Sequence, residues 1–108
     1  MAMSVRVCSV DDVPAGEARR FDVDGRLVAV VNLGDEGFRA VDAVCSHEHY
    51  YLDEGEVDVD EGTIECPKHG STFDLTTGRP IVLPAIAPVE VFPVTVSDDE
   101  VLIEVLTR

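Results

Sequence analysis

Asp24-Gly25 separates two runs rich in strand-forming residues, Arg19-Arg20-Phe21-Asp22-Val23 and Arg26-Leu27-Val28-Ala29-Val30-Val31. The type I′ two-residue hairpin turn needs positive φ at both central positions, which Asp tolerates and Gly adopts freely, so this stretch predicts an antiparallel hairpin. The same pattern recurs. Glu36-Gly37 precedes the short run 38–41, and the run 89–96 leads through the acidic turn Ser97-Asp98-Asp99-Glu100 into Val101-Leu102-Ile103-Glu104-Val105. Nowhere do apolar residues recur at helical spacing over three turns with caps at both ends. The expected fold class is therefore all-β. Between the β-rich ends, roughly residues 43–84 carry all three histidines, two of the three cysteines and many turn formers. This middle reads as a loop-rich insert on a β scaffold, an arrangement in which a rigid sheet positions functional loops.

With 108 residues the chain has enough sequence for one compact domain, 1–108, and too little for two that each bury a good core. Eight basic against twenty-two acidic side chains leave a formal charge of −14. Such a field repels nucleic-acid phosphates and anionic lipid headgroups, so neither nucleic acid nor membrane is expected as a partner. It favours encounter with a basic patch on another protein, although acidity by itself also serves solubility. Polar and acidic residues follow within a few positions of the start, and no stretch is apolar for long enough to cross a bilayer. A cytoplasmic protein is expected. Three cysteines cannot form a fully paired disulfide framework. Cys8, in the alternating segment Val5-Arg6-Val7-Cys8, reads as an ordinary strand residue.

The chemistry concentrates in Cys45-Ser46-His47 and, after eighteen intervening residues, Cys66-Pro67-Lys68-His69. Each segment offers one thiolate and one imidazole. On neighbouring loop tips, the two cysteines would hold one iron and the two histidines the other, the division used by [2Fe–2S] clusters of the Rieske type. Neutral imidazoles in place of two thiolates remove negative charge from the cluster and raise its potential. Structural zinc also takes four Cys and His ligands, but its usual spacing pairs Cys with Cys and His with His. A nucleophilic site built on Cys66 and His69 would need an oxyanion hole and an orienting residue, and neither has a visible motif. The bland alternative is that the four residues are unconnected.

Around these ligands the sequence resembles the Rieske ferredoxin family. The resemblance rests on Cys45-Ser46-His47 with Leu52-Asp53-Glu54-Gly55-Glu56-Val57, then Glu65-Cys66-Pro67-Lys68-His69-Gly70-Ser71-Thr72-Phe73-Asp74, and Thr77-Gly78-Arg79-Pro80. Leu83-Pro84-Ala85 is similar to the proline-containing loop that covers the cluster in that family. The resemblance implies a base of antiparallel sheets in a β-sandwich, with a cluster-binding subdomain inserted at about 43–84. It implies a [2Fe–2S] cluster bound by Cys45, His47, Cys66 and His69, with Ser71, Phe73 and Pro84 around it. The respiratory branch of the family joins two further cysteines in a disulfide. Tyr50 and Lys68 occupy the matching positions here, so that bridge is not expected. Phe73 stands where family members of high potential carry a tyrosine, and only Ser71 retains a hydroxyl that could reach a bridging sulfide. The expected potential is about −150 to 0 mV, at the low end of the Rieske range.

Three further expectations complete this picture. His49 is expected to be an exposed loop residue and not a ligand. The acidic run Asp53, Glu54, Glu56, Asp58, Asp60 and Glu61 is a solvated turn or part of a docking face. Only His49 remains once the cluster takes two histidines, too few for the mononuclear iron of an oxygenase, so the chain is not expected to be an enzyme itself. The implied role is that of an electron carrier, taking electrons from a flavin-dependent ferredoxin reductase to a terminal oxygenase. Two alternatives are a Rieske ferredoxin supporting SUF iron–sulfur cluster assembly and a Rieske-like small subunit of a nitrite-reductase-type complex.

Overall fold

The computed structural model describes residues 2–46, 50–68, 70–83 and 87–106. Its strands are β1 (Ala2–Ser9), β2 (Ala18–Val23), β3 (Arg26–Asn32), β4 (Phe38–Asp42), β5 (Val57–Asp58), β6 (Thr63–Glu65), β7 (Thr72–Asp74), β8 (Pro80–Val82), β9 (Val91–Phe92), β10 (Val94–Ser97) and β11 (Glu100–Leu106). They form three sheets, ordered β1-β11-β10, β2-β3-β4-β9 and β5-β6-β7-β8, and each pairing is antiparallel. Among the described residues the only helical elements are single 3₁₀ turns at Val10–Asp12, Gly34–Glu36 and Leu52–Glu54. The all-β expectation holds.

The first hairpin forms as its turn chemistry dictates. Val23 pairs with Arg26, Asp24 and Gly25 take φ of 52° and 86°, and the Gly25 N–H donates to Asp22 Oδ1 at 2.9 Å. At the other end of the chain, Ser97 pairs with Glu100 across Asp98 and Asp99, at φ of 51° and 63°. Both turns match the right-handed twist of their strands.

Strand β3 explains the layering. Val28, Ala29, Val30 and Val31 are all fully buried, although alternate side chains of a strand point to opposite faces. Val28 and Val30 enter a core with Cys8, Val13, Phe92, Val101 and Ile103. Ala29 and Val31 enter a second core with Leu52, Ile64, Phe73 and Leu75. The sheet holding β3 is thus the middle layer, with β1-β11-β10 on one face and β5-β6-β7-β8 on the other. A fully buried valine contributes about 1.5–3 kcal/mol relative to an exposed one, so a four-residue run buried on both faces anchors the whole molecule.

Two expectations need revision. The run 89–96 is not one strand, because Pro93 interrupts it. Proline has no N–H for a ladder, and here the chain changes sheets at that point, β9 pairing with β4 and β10 with β11. The middle of the chain is also less loop-built than its composition indicates, since β5 to β8 give it a sheet of its own. Strands of two or three residues are too short to display an alternating pattern. Cys8 is a strand residue as expected and is buried in the outer core. Burial, and then the nearby Asp12 carboxylate, push its thiol pKa up against the opposing effect of Arg6, which keeps it protonated and unreactive.

Candidate metal centre

Two hairpin necks carry the cysteines. The first begins where β4 ends. Asp42 Oδ1 accepts from the Val44 N–H at 3.0 Å, Val44 forms an antiparallel bridge with Tyr51, and the Leu52 N–H donates to Ala43 O at 2.8 Å. The neck closes with the Cys45 N–H donating to Tyr50 O at 2.9 Å. The second neck is β6 paired with β7, Ile64 opposite Phe73 and Glu65 opposite Thr72. It closes with the Cys66 N–H donating to Ser71 O at 2.7 Å, and the Gly70 N–H turns back to Cys66 O at 3.2 Å. In each neck, then, a cysteine is the last residue before the loop, and its N–H reaches the carbonyl five residues on. The two necks close in the same way.

Both cysteines are buried, Cys45 at 4% and Cys66 at 2% exposure. Both belong to one apolar cluster with Leu52, Ile64 and Phe73, so the fold brings the two thiol-bearing necks together. His47 and His69 lie outside the described residues, as do His49 and Pro84. Ser71 is fully buried and supplies the carbonyl that closes the second neck. Phe73 is fully buried in the core beneath the necks.

A third segment approaches the first loop. The Ser46 hydroxyl donates to Ala87 O, and the Val89 N–H donates to Gly78 O at 2.9 Å. Gly78 is required there: φ is +78°, and a Cβ would lie 2.1 Å from Val89 O. Ile81, Val82 and Leu83, which enter this segment, are 58%, 49% and 72% exposed. Between the two cysteine-bearing segments, Lys68 Nζ stands 5.6 Å from the centroid of the Tyr50 ring. Tyr50 and Lys68, where the resemblance expects no disulfide, thus meet through a cation–π contact.

The second neck rests on the residues that follow the first. Gly55 is packed so tightly that a Cβ on it would lie 1.6 Å from Glu65 O and 3.3 Å from Pro67 Cδ. Next to it the Glu65 N–H donates to Glu56 O at 2.8 Å.

Asp53 does not belong to the solvated acidic run, and here the sequence reading is corrected. Its side chain is only 11% exposed, and Oδ1 lies 3.8 Å from Arg20 NH1 of β2. Among the described residues Oδ1 has no hydrogen-bond partner. Burial raises the Asp53 pKa, Arg20 being the main opposing influence. Glu54, Glu56, Asp58, Asp60 and Glu61 remain exposed. Arg20 also stacks its guanidinium 3.6 Å above the Tyr51 ring centroid. This contact was not legible in the sequence, because Arg20 lies on a different sheet and outside every motif.

The donor set suits an iron–sulfur cluster. Two buried thiols start two similarly closed loops, each loop has an imidazole-bearing position two or three residues further on, and apolar packing lies beneath. Such packing excludes water and lowers the local dielectric, which tunes a bound cluster.

Comparison with known proteins agrees with this chemistry. The family model for the Rieske [2Fe–2S] domain matches residues 3–93. The 3-phenylpropionate/cinnamic acid dioxygenase ferredoxin subunit of Escherichia coli strain K12 is 39% identical over 100 residues, 93% of this chain and 92% of that protein. The solved ferredoxin of carbazole 1,9a-dioxygenase from Nocardioides aromaticivorans IC177 is 39% identical, with a TM-score of 0.88 over 94% of this chain and 96% of that one. A chain in the complex of reduced oxygenase and oxidized ferredoxin of carbazole 1,9a-dioxygenase is 38% identical, with a TM-score of 0.82, covering 92% of this chain and 99% of that one.

Proposed function

Because the chain belongs to the Rieske [2Fe–2S] domain family, we propose that it is a cytoplasmic electron carrier, passing single electrons from a flavin-dependent ferredoxin reductase to a terminal oxygenase. The observation that carries this reading is the pair of matching necks that deliver Cys45 and Cys66 into one buried cluster. Likeness to ferredoxin subunits of dioxygenases at 39% identity supports the oxygenase pathway over a role in cluster assembly.

In this reading Cys45 and Cys66 would hold one iron and His47 and His69 the other, all within a cluster-binding subdomain of about 43–84. The bound cluster supplies a one-electron couple. The residues of the chain set the conditions for it. Burial of the two cysteines and of Phe73 keeps water from the sulfur side. The N–H bonds that close the necks fix both cysteine backbones, so little rearrangement accompanies a change of charge. Beside the loops, Tyr50 and the exposed apolar residues Ile81 to Leu83 offer a surface that a partner can desolvate. Glu56, Asp58, Asp60 and Glu61 add a negative flank that steers a basic partner and accelerates encounter more than it strengthens binding.

The test is spectroscopic. Anaerobically purified protein should show the visible absorption of a [2Fe–2S] centre and, on reduction, the EPR signal of His₂/Cys₂ ligation. Cys66→Ala and His47→Ala should abolish both, and His49→Ala should leave them intact. A colourless protein with stoichiometric zinc, after expression with ample iron, would end this reading.

A further inference from the structure

The strap formed by residues 51–55 touches both ligand necks. At its start, Tyr51 bridges Val44, and the Leu52 N–H is bonded to Ala43 O. At its end, Gly55 sits against Glu65 and Pro67, the residues on either side of Cys66. Any shift of the strap therefore moves the two cysteines relative to one another. The strap holds only one 3₁₀ turn, Leu52–Glu54, too short to be rigid alone.

One side chain from the base sheet grips this strap at three points. Arg20 belongs to β2 and pairs with Ala29 of the doubly buried strand β3. Its guanidinium lies 3.6 Å over the Tyr51 ring, and NH1 lies 3.8 Å from both Asp53 Oδ1 and Glu54 Oε2. A flat cation on an aromatic face is attracted by the ring quadrupole, more strongly when partly shielded from water. The Asp53 carboxylate, nearly buried, depends on this cation for compensation, because breaking such a pair from one side leaves an uncompensated charge.

We propose that Arg20 is a positioning residue for the cluster, acting through Tyr51 and Asp53 to fix the spacing of the Cys45 and Cys66 necks. The inference rests on the assignment of those cysteines as ligands. It gives the base sheet a role in the site that its distance in sequence conceals. The planar guanidinium matters as well as the charge, so lysine should replace arginine only in part.

The experiment measures the rate at which an iron chelator strips the cluster from the full holoprotein without denaturant, together with the reduced-state EPR spectrum and the urea midpoint by far-UV circular dichroism. Arg20→Gln should accelerate cluster loss by about 10–100-fold and broaden the EPR lines, with Arg20→Lys intermediate. Tyr51→Phe keeps the ring face and should stay within about twofold of the parent, whereas Tyr51→Leu should lose the cluster about 5–30-fold faster. Adding Asp53→Asn to Arg20→Gln should return the rate towards that of Tyr51→Leu, because the stranded carboxylate is gone. Arg20→Gln protein that loses its cluster at the parental rate with an unchanged EPR spectrum, whatever its urea midpoint, would overturn the inference while leaving the ligand assignment standing. If Arg20→Gln fails to fold, equal rates for Tyr51→Leu and Tyr51→Phe would overturn it instead. A parent protein without a cluster would overturn the ligand assignment and, with it, this inference.

Discussion

Gly55→Ala isolates close approach from backbone strain. Gly55 has φ of −90° and ψ of −171°, extended values open to any residue, so the substitution meets no conformational barrier of its own. The obstacle is the neighbouring strand. The added Cβ would lie 1.6 Å from Glu65 O and 2.8 Å from Glu65 C, whereas a carbon and a carbonyl oxygen rest at about 3.3 Å. The strap and β6 must therefore part by roughly 1.7 Å to reach that spacing. This movement strains the 2.8 Å bond from the Glu65 N–H to Glu56 O, directly before Cys66. Overpacking a rigid site costs about 1–3 kcal/mol, and a lost hydrogen bond adds about 1 kcal/mol, so a loss of about 3 kcal/mol is expected. With a urea slope of about 1.5 kcal/mol/M, the midpoint should fall by about 2 M. Urea titration followed by both visible absorption and far-UV circular dichroism checks this, with Gly62→Ala as the control. Gly62 has φ of +67° and open space around its missing Cβ, so it carries only the left-handed penalty of about 1–2 kcal/mol. A Gly55→Ala protein as stable as Gly62→Ala would refute the close-approach reasoning.

Other substitutions test the neighbourhood of the loops. If the Ser71 hydroxyl donates to a cluster sulfur, Ser71→Ala should lower the potential by about 40–60 mV, a hydrogen bond of about 1 kcal/mol read as a one-electron shift. Protein-film voltammetry measures it, and a parental value well above about 0 mV would contradict the low-potential expectation. Asp53 predicts a pH dependence. Its folded pKa is raised, so the native state binds the proton more tightly than the unfolded chain does, and the stability associated with protonation is lost as pH rises from the ordinary aspartate range through the folded value. Arg20, Arg19 and Glu54 are the charged groups that influence it. Asp53→Asn should therefore gain stability relative to the parent across that window and keep a constant difference above it, as urea midpoints from pH 4 to 8 would report. The contact between Lys68 and Tyr50 is exposed and long, so Lys68→Met and Tyr50→Leu should each speed chelator-driven cluster loss only about two- to fivefold, and the double variant should add little more.

The hairpin at Asp24-Gly25, strand β4 and the acidic turn into β11 were legible because each is decided by residues adjacent in sequence. Pro93 was equally visible, but a missing N–H shows where a ladder stops and not which sheet receives the chain next. Cys45 and Cys66 stood out by their spacing to histidine. Their matched closing bonds are made by backbone atoms of Tyr50 and Ser71, which sequence chemistry does not encode. Asp53 was misread because an aspartate among acidic neighbours looks solvated, while its environment is set by Arg20 from another sheet. Gly55 gave no positive-φ signature either, since its need for a bare Cα comes from Glu65 across a strand gap.

The pairing of Ala2 with Leu106 in the outer sheet has a practical corollary. Both ends of the described chain emerge from the outer layer, across the β3 sheet from the β6–β7 neck that carries Cys66, with the doubly buried β3 between them. A linker grafted at either end would attach across the β3 sheet from the Cys66 neck, so a protein that carries the proposed cluster could be wired to an electrode or fused to a redox partner from the far side of the molecule.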